Sequence, residues 1–260
     1  MSREPVWRPP QVDCDLSRSA PSSAPIRSAN RLFEHLPDRD WARWSEKLEF
    51  VHLPRGMVLQ ETNRPRNYVW FPATAVVSLL CGLTSGESTQ IALIGNEGFV
   101  GMALVLGALA NPTHAVVSAG GHGYRMRAAD IQAEFGELAV MQVLLRYSLA
   151  LTTQISQGAV CNRHHLLEQQ LCRWLLCMLD RQTGEEIRGT HEELSQLLGC
   201  RRESVSELTS KLEQAGLVRH SRGRIQVLDR AGLEARSCEC HAVVEREYHR
   251  LMGPPPRGVT

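Results

Sequence analysis

Residues 190–228 read as helix, tight corner, helix and β-hairpin, and no other stretch of the chain restricts its fold so strongly. Thr190 precedes the run His191-Glu192-Glu193-Leu194-Ser195-Gln196-Leu197-Leu198, so its hydroxyl can cap the free amides of a helix, with Glu193 completing a capping box. Leu194, Leu197 and Leu198 share one face. Gly199 follows where a helix must end in a left-handed residue, and Cys200 is small enough for a crowded corner. A second helix is predicted over 201–212, because Val205, Leu208 and Leu212 fall at helical spacing and leave Arg201, Arg202, Glu203, Ser206 and Glu207 outward. Gly216 closes it. Residues 217–220 and 225–228 then read as two strands about the turn Ser221-Arg222-Gly223-Arg224, a wing with a basic tip.

This pattern points to duplex DNA. An α-helix fits the major groove, where arginine can donate two hydrogen bonds to guanine and glutamate can accept one from the cytosine amino group. Arg202 and Glu203 supply both at the N-terminal end of the second helix. Arg222 and Arg224 in the wing, with Thr190 and His191 at the start of the first helix, are placed to hold phosphates, which orient a protein without reading sequence. The DNA-facing candidates are thus Thr190, His191, Arg201, Arg202, Glu203, Ser204, Ser206, Glu207, Arg222 and Arg224.

The run Leu-Gly-Cys-Arg-Arg-Glu-Ser-Val-Ser-Glu-Leu from Leu198 onward resembles the DNA-reading segment of the Crp/Fnr superfamily, in which a Gly-x-Ser-Arg-Glu-Thr-Val pattern opens the recognition helix. The resemblance implies base contacts by Arg202 and Glu203, with Ser206 near the groove. Two positions depart from the family pattern: Glu207 stands where a further arginine is usual, and Arg201 replaces the serine. An acid and a base read different groove edges, so these departures leave the operator sequence unassigned.

The formal net charge is only +1, and residues 188–224 carry seven Lys/Arg against five Asp/Glu, so any basic footprint depends on placement. The length suits two compact domains. Residues 1–28, rich in Pro, Ser and Arg, read as a disordered tail without a targeting signal. The longest apolar run, 99–110, is too short to cross a bilayer, so a cytoplasmic protein without membrane contact is expected. Eight scattered cysteines agree with a reducing compartment. The absence of a Gly-x-Ser-x-Gly elbow, a His-Glu-x-x-His pair and a Walker loop argues against an enzyme.

Residues 29–136 read as a β-roll, with a short helix at 40–48, strands at 49–53, 57–60, 68–71, 75–80, 88–94, 115–118 and 123–127, and turns at 54–56 and 83–87. The region resembles the cyclic-nucleotide-binding sensor domain of the same superfamily, a jelly roll in an α+β fold. By that resemblance Asn96, Glu97, Gly98, Gly101, Thr113 and His114 are the effector-pocket candidates. Thr113-His114-Ala115 stands where the family has its phosphate-binding arginine, and histidine is a weaker and pH-dependent substitute. A typical cyclic mononucleotide is therefore disfavoured, and the cofactor stays unassigned. A different effector and a barrel that serves only as scaffold both remain open.

Asp130 can cap a helix starting at Ile131, and over 137–161 the apolar residues Met141, Leu144, Leu145, Leu151 and Ile155 recur at helical spacing. In the family this long helix pairs with its twin, which implies a homodimer; packing of the whole stripe on its own barrel is the alternative. Two recognition helices would then reach half-sites about one duplex turn apart. RNA polymerase is a further partner if the protein activates. A winged helix-turn-helix domain is expected over 162–235, its first helix at 165–180 presenting Leu167, Leu171, Trp174, Leu175 and Leu179, with Cys172 and Cys177 as small apolar filler. A C-terminal extension occupies 236–260. Two Cys/His groups, Cys161, His164, His165 and Cys238, Cys240, His241, lack paired Cys-x-x-Cys spacing, so no metal site is assigned, and a metal- or redox-responsive regulator is the lesser alternative.

Overall fold

The computed structural model describes residues 24–65, 67–84, 87–108 and 112–253. Most of the expected tail, residues 1–23, lies outside them, as does the tip of the turn at 85–86. The last residues of that expected tail are held. The Ile26 amide donates to the Tyr124 hydroxyl at 3.1 Å, and Arg27 binds Asp38 and the Phe33 and Leu36 carbonyls, so the ordered barrel begins earlier than residue 29.

A 3-10 turn at Arg27–Ala29 leads into α1 (Arg31–Glu34) and α2 (Asp38–Ser45). The barrel follows as β1 (Glu49–Leu53), β2 (Val58–Gln60), β3 (Tyr68–Pro72), β4 (Val76–Gly82), β5 (Ser88–Ile94), the short α3 (Met102–Val105), β6 (Thr113–Ala119) and β7 (Gly121–Arg127). The strands form two antiparallel sheets in the orders β1-β7-β3 and β2-β6-β4-β5. Alternate side chains of both sheets, among them Leu53, Phe71, Ile94, Val117 and Met126, meet in one core. Each such side chain contributes about 1.5–3 kcal/mol by leaving water. Phe33 of α1 and Trp44 of α2 close one end, with ring centroids 5.2 Å and 5.6 Å from Phe71.

The next helix, α4 (Ala128–Ala133), starts directly after β7 with Arg127 as its extended cap, so Asp130 lies inside the first turn and is not the cap expected from sequence. Helix α5 (Leu138–His164) then crosses the barrel. Four of the five apolar positions read as a pairing stripe pack on the chain's own core: Leu144 and Leu151 are buried, and Met141 and Ile155 lie against them. Leu145 alone of the five faces outward, with Leu138, Leu149 and Val160 also exposed on this helix. By length and composition α5, with a mean hydropathy of 1.2, is long and apolar enough to cross a membrane. One face of it packs into the barrel core, with Tyr147 fully enclosed.

The C-terminal unit comprises α6 (Leu167–Leu179), β8 (Glu186–Arg188), α7 (His191–Leu198), α8 (Arg202–Gln214), β9 (Val218–Ser221), β10 (Arg224–Val227), α9 (Arg230–Arg236) and α10 (Cys240–Met252). Leu171, Leu175, Leu194, Val205, Leu212 and Ile225 form its core, with Cys172 and Cys177 buried among them as filler. That core also takes in Val76 and Leu93 from the β4–β5 side of the barrel. Helix α10 runs back along α5 and puts Val244, Tyr248 and Met252 into the barrel core. The C-terminal extension is therefore part of the N-terminal domain's packing, a return that sequence order offered no means to foresee.

Candidate nucleic-acid interface

The corner expected from sequence is built as read. Thr190 Oγ1 accepts from the Glu193 amide at 3.2 Å while Glu193 Oε2 accepts from the Thr190 amide at 2.7 Å. Burial would raise the Glu193 pKa, but the Thr190 bond and the Arg55 guanidinium hold it low. Gly199 ends α7 at φ 66°, ψ 37°, a left-handed conformation that a side chain would strain. Helix α8 then opens at Arg202 and buries Val205, Thr209 and Leu212.

On the opposite face Arg201, Arg202, Glu203 and Glu207 are exposed, and Ser204 and Ser206 are half-buried between them. Glu207 pairs with Lys211 at 2.8 Å, one turn on, so the charge of this exposed acid is partly countered. The wing is β9 and β10 joined at Gly223, φ 72°, and it gains a third strand, β8, that sequence reading missed. Only Ile187, between two charged neighbours, marks that strand. Its Arg188 stands opposite Arg224 and adds an exposed cation to the wing beside Arg222. Arg224 and Arg188 each lie 3.5 Å from Glu186, and this moderates the positive patch.

His191 is placed differently from expectation. Its ring stacks on His220 with centroids 4.3 Å apart and is half-buried, and Nε2 has no hydrogen-bond partner among the described residues. Burial lowers its pKa, helped by the fields of His220 and Arg202. At neutral pH it is a packing group that joins α7 to the wing, not a cation for phosphate.

The six effector-pocket candidates do not form one pocket. Glu97 is buried and accepts a 2.7 Å ion pair from Arg181 Nε, just past α6, as well as bonds from the Gly95 amide. The Asn96 carbonyl accepts from the Arg31 amide at 2.8 Å, and the Gly98 carbonyl from Asn30 Nδ2 at 2.9 Å. Gly98 is a packing glycine: a Cβ there would sit 2.0 Å from the Tyr147 ring of α5. Gly101, at φ 124°, caps α3 against Val69. Thr113 and His114 lie toward the other end of β4, opposite Cys81 and Leu80, whereas Ile94, before the Glu97 turn, is opposite Val77. Burial lowers the His114 pKa against an opposing field from Glu61, so the imidazole is neutral where a phosphate would need a cation. A sequence motif kept its spacing here while its acid was recruited by a residue 84 positions away.

The reading head is fixed to the barrel by more than this pair. Arg55, in the turn between β1 and β2, bonds Glu193 at 2.8 Å, and Trp174 Nε1 donates to Gln90 Oε1 of β5 at 2.7 Å. The Cys/His groups also depart from expectation. His241 turns to Asp180 at 2.7 Å and His164 is exposed, whereas Cys161 and His165 meet Cys238 and Cys240. The two groups were kept apart in the sequence because 77 residues separate Cys161 from Cys238.

The described chain is built as a two-sheet barrel, a long helix and a winged helix-turn-helix whose second helix, α8, exposes Arg201 and Arg202. Residues 169–236 match the Crp-like helix-turn-helix domain. Solved structures share the fold: a Crp/Fnr-family protein of Eubacterium rectale (15% identity, TM-score 0.64, 80% of this chain and 98% of that one), FixK2 of Bradyrhizobium japonicum (14%, 0.63, 74% and 98%) and a Crp-family regulator of Thermus thermophilus (15%, 0.61, 73% and 96%). No curated protein matches by sequence. The chain thus carries a Crp-like helix-turn-helix domain over residues 169–236 and shares the fold of Crp/Fnr structures.

Proposed function

We propose that the protein binds a near-palindromic operator as a homodimer and reads one base pair in each half-site through Arg202, with Glu203 accepting from a neighbouring cytosine. The observation that carries this reading is the exposed N-terminal end of α8, where Arg201, Arg202, Glu203 and Glu207 stand free of the core that holds Val205 and Leu212. Arg188, Arg222 and Arg224 on the wing would hold phosphate. Dimerisation is supported by the outward face of α5, where Leu145 and Leu149 stand exposed on a row that continues through Gln142, Thr152, Ser156 and Ala159 at intervals of three and four. RNA polymerase would be met if the bound protein activates.

Any effector would be something other than a typical cyclic mononucleotide, since Glu97 is engaged by Arg181 and His114 is neutral and placed elsewhere. Selection of bound sequences from a random DNA pool tests the reading. Enrichment of an inverted repeat with half-site centres about one turn apart is expected. Equal affinity for selected and random DNA would overturn it.

A further inference from the structure

Helix α5 carries Cys161 in its last turn, and the chain leaves helical geometry at His165, φ −105° and ψ 151°, which turns the imidazole back toward that cysteine. Cys238 arrives from the connection between α9 and α10, and Cys240 opens α10. The ligand atoms of Cys161, His165, Cys238 and Cys240 all lie within 4.8 Å of one another. Cys161 Sγ is 3.5 Å from Cys238 Sγ, and Cys240 Sγ is 3.4 Å from His165 Nδ1. The three cysteines, at most 6% exposed, form a cluster of their own outside both main cores. They pack on one another, unlike Cys172 and Cys177, which fill an apolar interface.

We propose that these four side chains bind one zinc ion per chain in a closed tetrahedral site. Zinc–sulfur bonds of about 2.3 Å put two tetrahedral sulfurs about 3.8 Å apart, and zinc–nitrogen bonds are shorter. The observed spacings lie close to that edge. An iron–sulfur cluster inserts a cage of iron and sulfide between its ligands and needs them farther apart. Soft sulfur donors with no oxygen donor among the four exclude magnesium and calcium. On binding, the three thiols release their protons to solvent and the imidazole binds through neutral Nδ1.

The surroundings suit the ion as well as the ligands do. His165 Nε2 lies 3.3 Å from a Glu239 carboxylate oxygen, the outer partner that fixes the tautomer of a metal-bound histidine. Gln157 Nε2 donates to Cys240 Sγ at 3.2 Å, as a donor to a thiolate would. Three thiolates and one zinc leave a net negative charge. The Arg173 guanidinium, whose buried Nε lacks a hydrogen-bond partner among the described residues, lies in the field of Cys177 and of the ligands Cys161, Cys238 and Cys240, and would offset that charge. The ion would clamp the end of α5 to the start of α10 at the elbow where the reading head leaves the barrel. Nothing in this depends on which DNA the head reads.

The test uses the full-length protein purified under reducing conditions. Elemental analysis is expected to give one zinc per chain. After chelator treatment, cobalt should restore the visible ligand-field bands of a tetrahedral site with a thiolate charge-transfer band, and one equivalent of zinc should abolish them. Cys238→Ser should weaken zinc affinity at least tenfold, and Cys172→Ser should leave it unchanged. Stripping and reloading the unaltered chain keeps the test valid if Cys238→Ser does not fold. Substoichiometric zinc with no cobalt spectrum, retention of zinc by the Cys161→Ser, Cys238→Ser double variant, or a Cys161–Cys238 disulfide in freshly purified metal-free protein would each overturn the proposal.

Discussion

Arg181 and Glu97 form a 2.7 Å ion pair with side chains only 3% and 6% exposed, and it joins the helix behind the reading head to the turn after β5. Burial opposes the charge on Arg181, but the Glu97 field raises its pKa well above the usual arginine value, and the guanidinium also lies 5.7 Å from the Tyr248 ring centroid. Barrel, head and returning helix thus meet at one pair.

Breaking that pair from either side strands a buried charge. Glu97→Gln or Arg181→Met is expected to cost about 3–5 kcal/mol, and the double variant less than the sum of the two. Urea denaturation of all four proteins measures the coupling. Single costs below about 1 kcal/mol that simply add would show the pair to be structurally idle.

For the DNA interface, Arg202→Ala should lose about 1–3 kcal/mol on the preferred operator and relax one base position per half-site. Arg224→Ala, already shared with Glu186, should weaken all sequences alike and flatten the salt dependence. Competition assays at several salt concentrations separate the two. Identical losses on operator and random DNA for Arg202→Ala would remove base reading from that residue.

The outward seam of α5 gives a third expectation. Leu145 and Leu149 are 48% and 49% exposed, so replacing both with Glu leaves the barrel core untouched while placing like charges across a pairing interface. Sedimentation equilibrium should find a folded monomer with operator affinity reduced at least tenfold. A dimer that persists would place the interface elsewhere.

Stability should fall on mild acidification. The folded His191 pKa is lowered, so between that value and the unfolded value of about 6.5 the unfolded chain binds the extra proton. Its contribution is complete above about pH 6.5 and is lost as pH falls toward the folded pKa. His114 is shifted in the same direction. The drop in Tm from pH 7.5 to 5.5 should shrink in His191→Gln and shrink further when His114→Gln is added. An unchanged drop in both would refute the assignment.

What the sequence disclosed was local. The strands β1 and β5, the Thr190–Glu193 box and the Gly199 corner are written in neighbouring residues, and periodicity with turn chemistry suffices to read them. Glu97 and Gly98 looked like ligand-binding residues because their type and order matched a phosphate cassette, whereas Arg181 and Tyr147, which claim them, are far away in sequence. The α5 stripe misled for a related reason: two faces of one helix carry leucine, and spacing alone does not say which is covered by the chain's own barrel. The Cys161–Cys238 meeting likewise required the path of the chain to be known.

Helix α10 brings the end of the described chain back to its beginning, where His35 Nε2 lies 2.5 Å from the Met252 carbonyl and Arg31 bonds the Gly253 carbonyl. The reading head is therefore an insertion with two attachments, α5 leading out and α10 leading home. Two chain links alone would leave rotation about the line that joins them, and the Arg55–Glu193, Trp174–Gln90 and Arg181–Glu97 contacts hold that rotation closed. Any swivel of α8 about that line would have to release these barrel contacts first.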